Sequence, residues 1–214
     1  MWLKLLLIPI LAYASLIAVV FFAQGAVLFP AGAAAGARSI PADAERLEAV
    51  AAFGERLHGI HLRPRRPGAE RLLLLAFGGN AWNAEDAAAY LAELFPEADV
   101  VAFHYRGYRP SEGRPSAAAL LADAAPVHDL AVARVEPART IAVGFSIGGG
   151  VVASLASRRS LDGLILVTPF DSLEEVAARR FRWLPARWLL RHRMSPAEDL
   201  RGVRVPVALI AAGR

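Results

Sequence analysis

The feature that most restricts the fold is Leu72–Phe77, an unbroken run of apolar residues. A strand with one wet face alternates polar and apolar positions. A continuous apolar run instead marks a strand covered on both faces, as in the centre of a parallel sheet. Comparable strand-like stretches follow at Val100–Tyr105, Thr140–Phe145, Leu164–Thr168 and Val205–Ala211. Helical patterns separate them: Ala84–Phe95, stopped by Pro96, then Ser116–Arg134 and Ile147–Arg158. Pro126 predicts a kink or a break in the second of these. Strands alternating with helices predict an α/β fold, a mostly parallel sheet with helices on both faces. Functional loops then collect at the C-terminal ends of the strands. Upstream, Leu57–Leu62 alternates and reads as a further strand, and Asp43–Phe53 has the spacing of a short helix.

The N-terminus carries a second strong signal. Leu5–Phe29 contains no charged residue over 25 positions. About 20 apolar residues suffice for a helix to cross hydrocarbon, whereas the apolar part of a signal peptide is roughly 7–15 long. The length predicts an uncleaved transmembrane anchor with the N-terminus inside and the folded domain outside the cytoplasm. Small residues at Ala23–Ala26 and after Pro30 keep a cleaved signal as the alternative. Lys4 precedes the span and Arg38 and Arg46 follow it, so the charge bias across it is weak.

Composition narrows the function classes. The net charge is +4 (24 Lys and Arg against 20 Asp and Glu), too small and too scattered for a nucleic-acid surface. Cysteine is absent, which excludes disulfides and thiolate metal sites.

The chemistry lies in Gly144-Phe145-Ser146-Ile147-Gly148, a G-x-S-x-G sequence between an apolar strand and a helix of small residues. In that setting the serine occupies a sharp, strained strand-to-helix turn and becomes a candidate nucleophile. Gly144 and Gly148 flank it without the Cβ atoms that would crowd the turn. The helix start then offers free N–H groups and partial positive charge. An oxyanion hole in such a site uses the amide after the nucleophile, here Ile147, and one from the loop after an earlier strand. Phe77-Gly78-Gly79-Asn80-Ala81 is that loop and Asn80 the second donor. Neither strand is followed by the G-x-G-x-x-G of a dinucleotide site.

From about Leu72 onward the chain resembles the Bem46-like, or ABHD13/ABHD12-like, serine hydrolases of the α/β-hydrolase superfamily. The resemblance is carried by the two motifs above, by Tyr105-Arg106-Gly107-Tyr108 with Ser111-Glu112-Gly113, and by Thr168-Pro169-Phe170-Asp171-Ser172. It implies a Ser–Asp–His triad, hydrolysis of an acyl-type bond in a small-molecule or lipid-like substrate, and neither metal nor cofactor. Gly78-Gly79 stands where the family usually has His-Gly, Trp82 where a small residue is usual, and Arg109-Pro110 alters the turn after Tyr108.

By the same resemblance, the acid would follow the strand Val205–Ala211 and the histidine would come later still. The 214-residue form is thus expected to be C-terminally incomplete and nearly inactive. Asp171, just past a strand end, is an internal candidate acid, although Asp-Ser-Leu-Glu also reads as a helix cap. His104 reads as a structural histidine, and His58, His61, His128 and His192 have no assigned role. The expected organisation is an anchor over 1–30, a linker with a short helix over 31–56, and a hydrolase domain over 57–214. Residues 171–204, with eight arginines among Phe181, Trp183 and Trp188, form a candidate lid or an ordinary packed helical pair. A non-catalytic, membrane-tethered binding domain on the same fold is the alternative function.

Overall fold

The computed structural model describes residues 2–34, 36, 40–51 and 54–211. Part of the linker (35 and 37–39, including Arg38), the end of the expected helix (52 and 53) and residues 212–214 lie outside them.

A seven-stranded sheet has the order β1-β2-β4-β3-β5-β6-β7. The strands are β1 (Glu45–Val50), β2 (Arg56–Leu62), β3 (Leu72–Phe77), β4 (Asp99–Phe103), β5 (Arg139–Phe145), β6 (Gly163–Val167) and β7 (Val207–Ile210). Pairing is antiparallel for β1–β2 and β2–β4, and parallel from β4 through β7. The chain goes back from β3 to β4 and then crosses to β5, so β3 lies inside the sheet. This is why its apolar run is unbroken.

The period of two assigns the two faces. Leu73, Leu75 and Phe77 join Leu120, Val127, Val151 and Leu155 in one core. Leu74 and Ala76 join Ala84, Ala88 and Leu91 in the other. Helix α2 (Ala84–Leu94) therefore covers one face, and α3 (Ala117–Val135) with α4 (Ile147–Ala156) covers the opposite face. Each buried leucine contributes roughly 1.5–3 kcal/mol of transfer free energy. Asn83 starts α2 by accepting from the Glu85 amide at 2.8 Å, and Ser116 starts α3 by accepting from the Ala119 amide at 3.1 Å. Pro126 does not divide α3, which runs through it as one element.

One expectation is overturned. Asp43–Phe53 does not form a helix: its central residues are strand β1, with Leu47 and Ala49 buried and Arg46, Glu48 and Val50 exposed. The segment carries both periods, and the open edge of β2 selects the extended one by supplying backbone partners from Glu45↔His61 to Val50↔Arg56.

Helix α1 (Trp2–Leu28) stands out from this body. The stretch Leu7–Ala33 is long and apolar enough to cross a membrane, and only 6% of its most apolar window is buried. Its far end docks: Phe29 is buried in the core and stacks edge-on against His192, with ring centres 5.0 Å apart. Residues 171–204 form three short α-helices, α5 (Leu173–Arg180), α6 (Ala186–Leu189) and α7 (Pro196–Asp199), and a 3₁₀ turn at Leu200–Gly202. Met194 and Pro196 are buried, whereas Phe181, Trp183 and Trp188 are exposed. The later part of this segment is ordinary core packing, and the earlier part runs beside α1.

Candidate active site

Ser146 sits between β5 and α4 with φ 50° and ψ −111°. A non-glycine residue at such angles is held there against about 1–3 kcal/mol of strain. The surroundings impose the conformation. The Ser146 amide donates to the Val167 carbonyl at 2.8 Å, and the Gly149 amide donates back to the Ser146 carbonyl at 2.9 Å. Gly144, Ile147 and Gly148 are buried, but Ser146 itself is exposed. Its hydroxyl makes no capping bond to α4.

The flanking glycines are required by space. A Cβ on Gly148 would overlap the Phe77 carbonyl oxygen, and one on Gly144 would lie 2.5 Å from the Gly148 carbonyl oxygen. The first turn of α4 is thereby pressed against the end of β3. The Ile147 and Gly148 amides, at the start of a helix, have no acceptor within it.

The loop after β3 lies alongside. A Cβ built on Gly79 would be 4.0 Å from the Ser146 Cβ and 3.7 Å from the Phe145 carbonyl oxygen. Ala81 has φ 66°, and the Trp82 amide donates to the Gly79 carbonyl at 3.1 Å, so the loop is a tight turn. Two tyrosines brace it. The Tyr105 hydroxyl donates to the Gly78 carbonyl at 2.7 Å, and that of Tyr108 donates to Asn80 Oδ1 at 2.6 Å. Burial pushes the Tyr108 hydroxyl up to about 12 and that of Tyr105 higher still, so both remain donors at neutral pH. Asn80 Nδ2 donates to the Leu28 carbonyl at 2.6 Å, tying the loop to the end of α1. Trp82 packs edge-on against Phe145, with ring centres 4.8 Å apart, on the α2 side of the turn.

The other sequence candidates are placed elsewhere. Asp171 is exposed and accepts from Arg179 at 3.4 Å. The cap of α5 is made by Ser172, which accepts from the Glu175 amide at 3.1 Å. His104 meets Glu85 at 2.6 Å in a buried pair. Burial alone would raise the Glu85 carboxyl, but the His104 contact outweighs it and holds the group below its usual range. His61 lies 2.6 Å from Asp99, and His128 lies 2.9 Å from Asp129. No group of three His, Asp or Glu side chains able to hold a metal ion occurs among the described residues. The hollow lined by Arg63, Arg71 and Asp99 is at the N-terminal ends of the strands, the opposite edge from Ser146.

Comparison with known proteins agrees with this geometry. The family profile described as the alpha/beta hydrolase fold matches residues 72–205. The chain is an α/β hydrolase. This α/β hydrolase is 36% identical over 163 residues to the uncharacterized protein Rv2307c of Mycobacterium tuberculosis, covering 75% of this chain and 58% of that one. It is 34% identical over 113 residues to the lysophosphatidylserine lipase ABHD12 of Danio rerio, covering 48% of this chain and 29% of the fish enzyme. An α/β hydrolase of known structure from Vibrio vulnificus superposes with a TM-score of 0.66 at 22% identity, over 78% of this chain and 63% of that one. The chain thus spans less than two thirds of each of these three proteins. The bracing tyrosines and the α1–Asn80 link were not assigned roles from sequence. Aromatic residues just past the end of β4 are the local signal for the first, and nothing local announces the second.

Proposed function

We propose that this chain supplies the nucleophile and the oxyanion donors of a membrane-anchored serine hydrolase that cleaves an ester, thioester or amide. The observation that carries the reading is Ser146: an exposed hydroxyl on a strained turn, between the start of α4 and the braced loop after β3. Ser146 Oγ attacks the acyl carbonyl while its proton passes to a base. The Ile147 and Asn80 amides take the oxyanion, the leaving group departs with a proton, and water then releases the acid. The base belongs to the histidine that the family's Ser–acid–His order puts after the nucleophile. Helix α1 is read as the anchor, with the domain outside the cytoplasm.

A second reading, a binding domain without catalysis, is favoured by the histidines, whose partners here are other than Ser146. His61, His104 and His128 each contact a carboxylate, and His192 packs on Phe29. A fluorophosphonate probe applied to the protein in its native membrane separates the two. The hydrolase reading expects covalent label on Ser146 that is lost in Ser146→Ala. No label on Ser146 in folded protein leaves the binding domain.

A further inference from the structure

A cavity of about 360 Å³ lies between α1 and the α5–α6 segment. Val20, Val27 and Leu28 form one wall, and Ala177, Leu184 and Leu189 form the other. Ligand sites typically measure roughly 300–1,000 Å³, and this one is almost wholly apolar. Gln24, the only amide side chain in the lining, is already engaged. Its Nε2 donates to the carbonyls of Phe21 at 2.7 Å and Leu189 at 3.2 Å, and its Oε1 accepts from the Arg191 amide at 2.7 Å. Gln24 fastens the two walls together and leaves the interior to an apolar occupant.

Three features say what that occupant is. First, one wall belongs to the helix with the length and composition of a membrane span, so the cavity opens alongside hydrocarbon. Second, Phe181 and Trp183 line its other side, and the same α5–α6 segment exposes Trp188, Arg179, Arg180, Arg182 and Arg187. Aromatic rings and guanidinium groups together suit the headgroup layer of a bilayer. Third, Leu28 lines the cavity while its carbonyl accepts from Asn80, so the inner end is one hydrogen bond from the candidate oxyanion loop.

We propose that this cavity receives the acyl chain of a bilayer lipid entering sideways from the membrane; the inference rests on the anchored-hydrolase reading above. The chain fills the space between α1 and α5–α6 with its carbonyl end toward Asn80, while the headgroup stays among the arginines.

Photo-crosslinking tests it, with the protein in phosphatidylcholine–phosphatidylglycerol vesicles doped with phosphatidylcholine bearing a diazirine on one acyl chain. Leu184 is the reporter, because it lines the cavity yet is only 8% exposed, whereas Phe22 on the outer face of α1 is 76% exposed. Surrounding lipid reaches Phe22 but not Leu184. The expected result is label at both positions, with the Leu184 label lost in Ala177→Trp and in Ala186→Trp, which fill the cavity from the α5–α6 side. Retention of the Phe22 label reports that a variant is still inserted. Label at Phe22 alone in the parent protein overturns the proposal, as does an undiminished Leu184 label in both filled variants. Fluorophosphonate labelling in the same vesicles separates the two readings. Labelled Ser146 without Leu184 crosslinks removes the acyl cavity and keeps the hydrolase; crosslinks without labelled Ser146 do the reverse.

Discussion

Among the described residues, the sheet is covered unequally on the two sides of Ser146. Toward β4, every residue from Leu73 to Phe77 and from Asp99 to Phe103 is buried. On the other side β6 still buries Gly163, Leu164 and Leu166, but in β7 no residue is buried. Two parallel strands of similar composition thus sit in opposite environments. The contrast shows where the strained turn draws its support. The backbone at Ser146 is tied to β6 by its amide bond to the Val167 carbonyl, and the packed side confines it through the Gly148 contact with Phe77 and the tyrosine-braced loop after β3. The β7 side contributes ladder hydrogen bonds, such as the Thr168 amide to the Ile210 carbonyl at 2.7 Å, but little apolar cover. A packed core resists deformation because every displaced atom meets another, and that resistance lets a residue stay at φ 50°.

The contrast can be broken in three ways. The largest effect is expected from Gly148→Ala, whose added methyl meets the Phe77 backbone and has no flexible side chain to push aside. Loss of folded protein is expected, read as failure to give a cooperative melting transition in detergent. A folded Gly148→Ala protein would show that the turn is not fixed from the β3 side.

Next comes a matched pair on the sheet itself. Leu75 is 0% exposed and Leu209 is 65% exposed. Leu75→Ala should cost about 2–5 kcal/mol, the usual range for a buried leucine. Leu209→Ala should stay within about 0.5 kcal/mol, as for an exposed site. Denaturant titration of both variants measures the difference directly, and equal losses would mean that β7 is covered after all.

The smallest effect concerns acid. Glu85 keeps its folded pKa below the unfolded value through His104. Its contribution to stability is therefore present above about pH 4.3 and is lost as pH falls through the lower, folded value. Glu85→Gln should lower stability at neutral pH and flatten the acid limb of a melting-temperature titration. An unchanged limb would place the acid sensitivity of the packed side elsewhere.

Much of this architecture was legible in the residues, and the failures have physical causes. Leu72–Phe77 gave β3 to the residue, because an unbroken apolar run has few alternatives once glycine and proline bound it. The turn at Ser146 was legible for a similar reason: two glycines flank a serine where only glycine fits. Strand β1 was not, since Leu47 and Val50 satisfy a helical period while Leu47 and Ala49 satisfy a strand period. The partner that decides between them is β2, and its edge is invisible to a local pattern. The docking of α1 was equally hidden. An uncharged run says that a helix is apolar, but not that Phe29 enters the core or that Leu28 meets Asn80. Asp171 was placed by its position after β6, and no local pattern announces its exposed contact with Arg179 on the next helix.

The Tyr13 hydroxyl donates to the Trp183 carbonyl at 2.9 Å, fifteen residues back along α1 from Leu28. At 1.5 Å per residue that is about 22 Å of helix flanked by the α5–α6 region. A bilayer's hydrocarbon is about 30 Å thick. Under the proposed anchoring, such a helix is no mast holding the domain aloft in water. The protein would float low, like a hull with its keel in the lipid, and the mouth of its reaction centre would lie near the waterline.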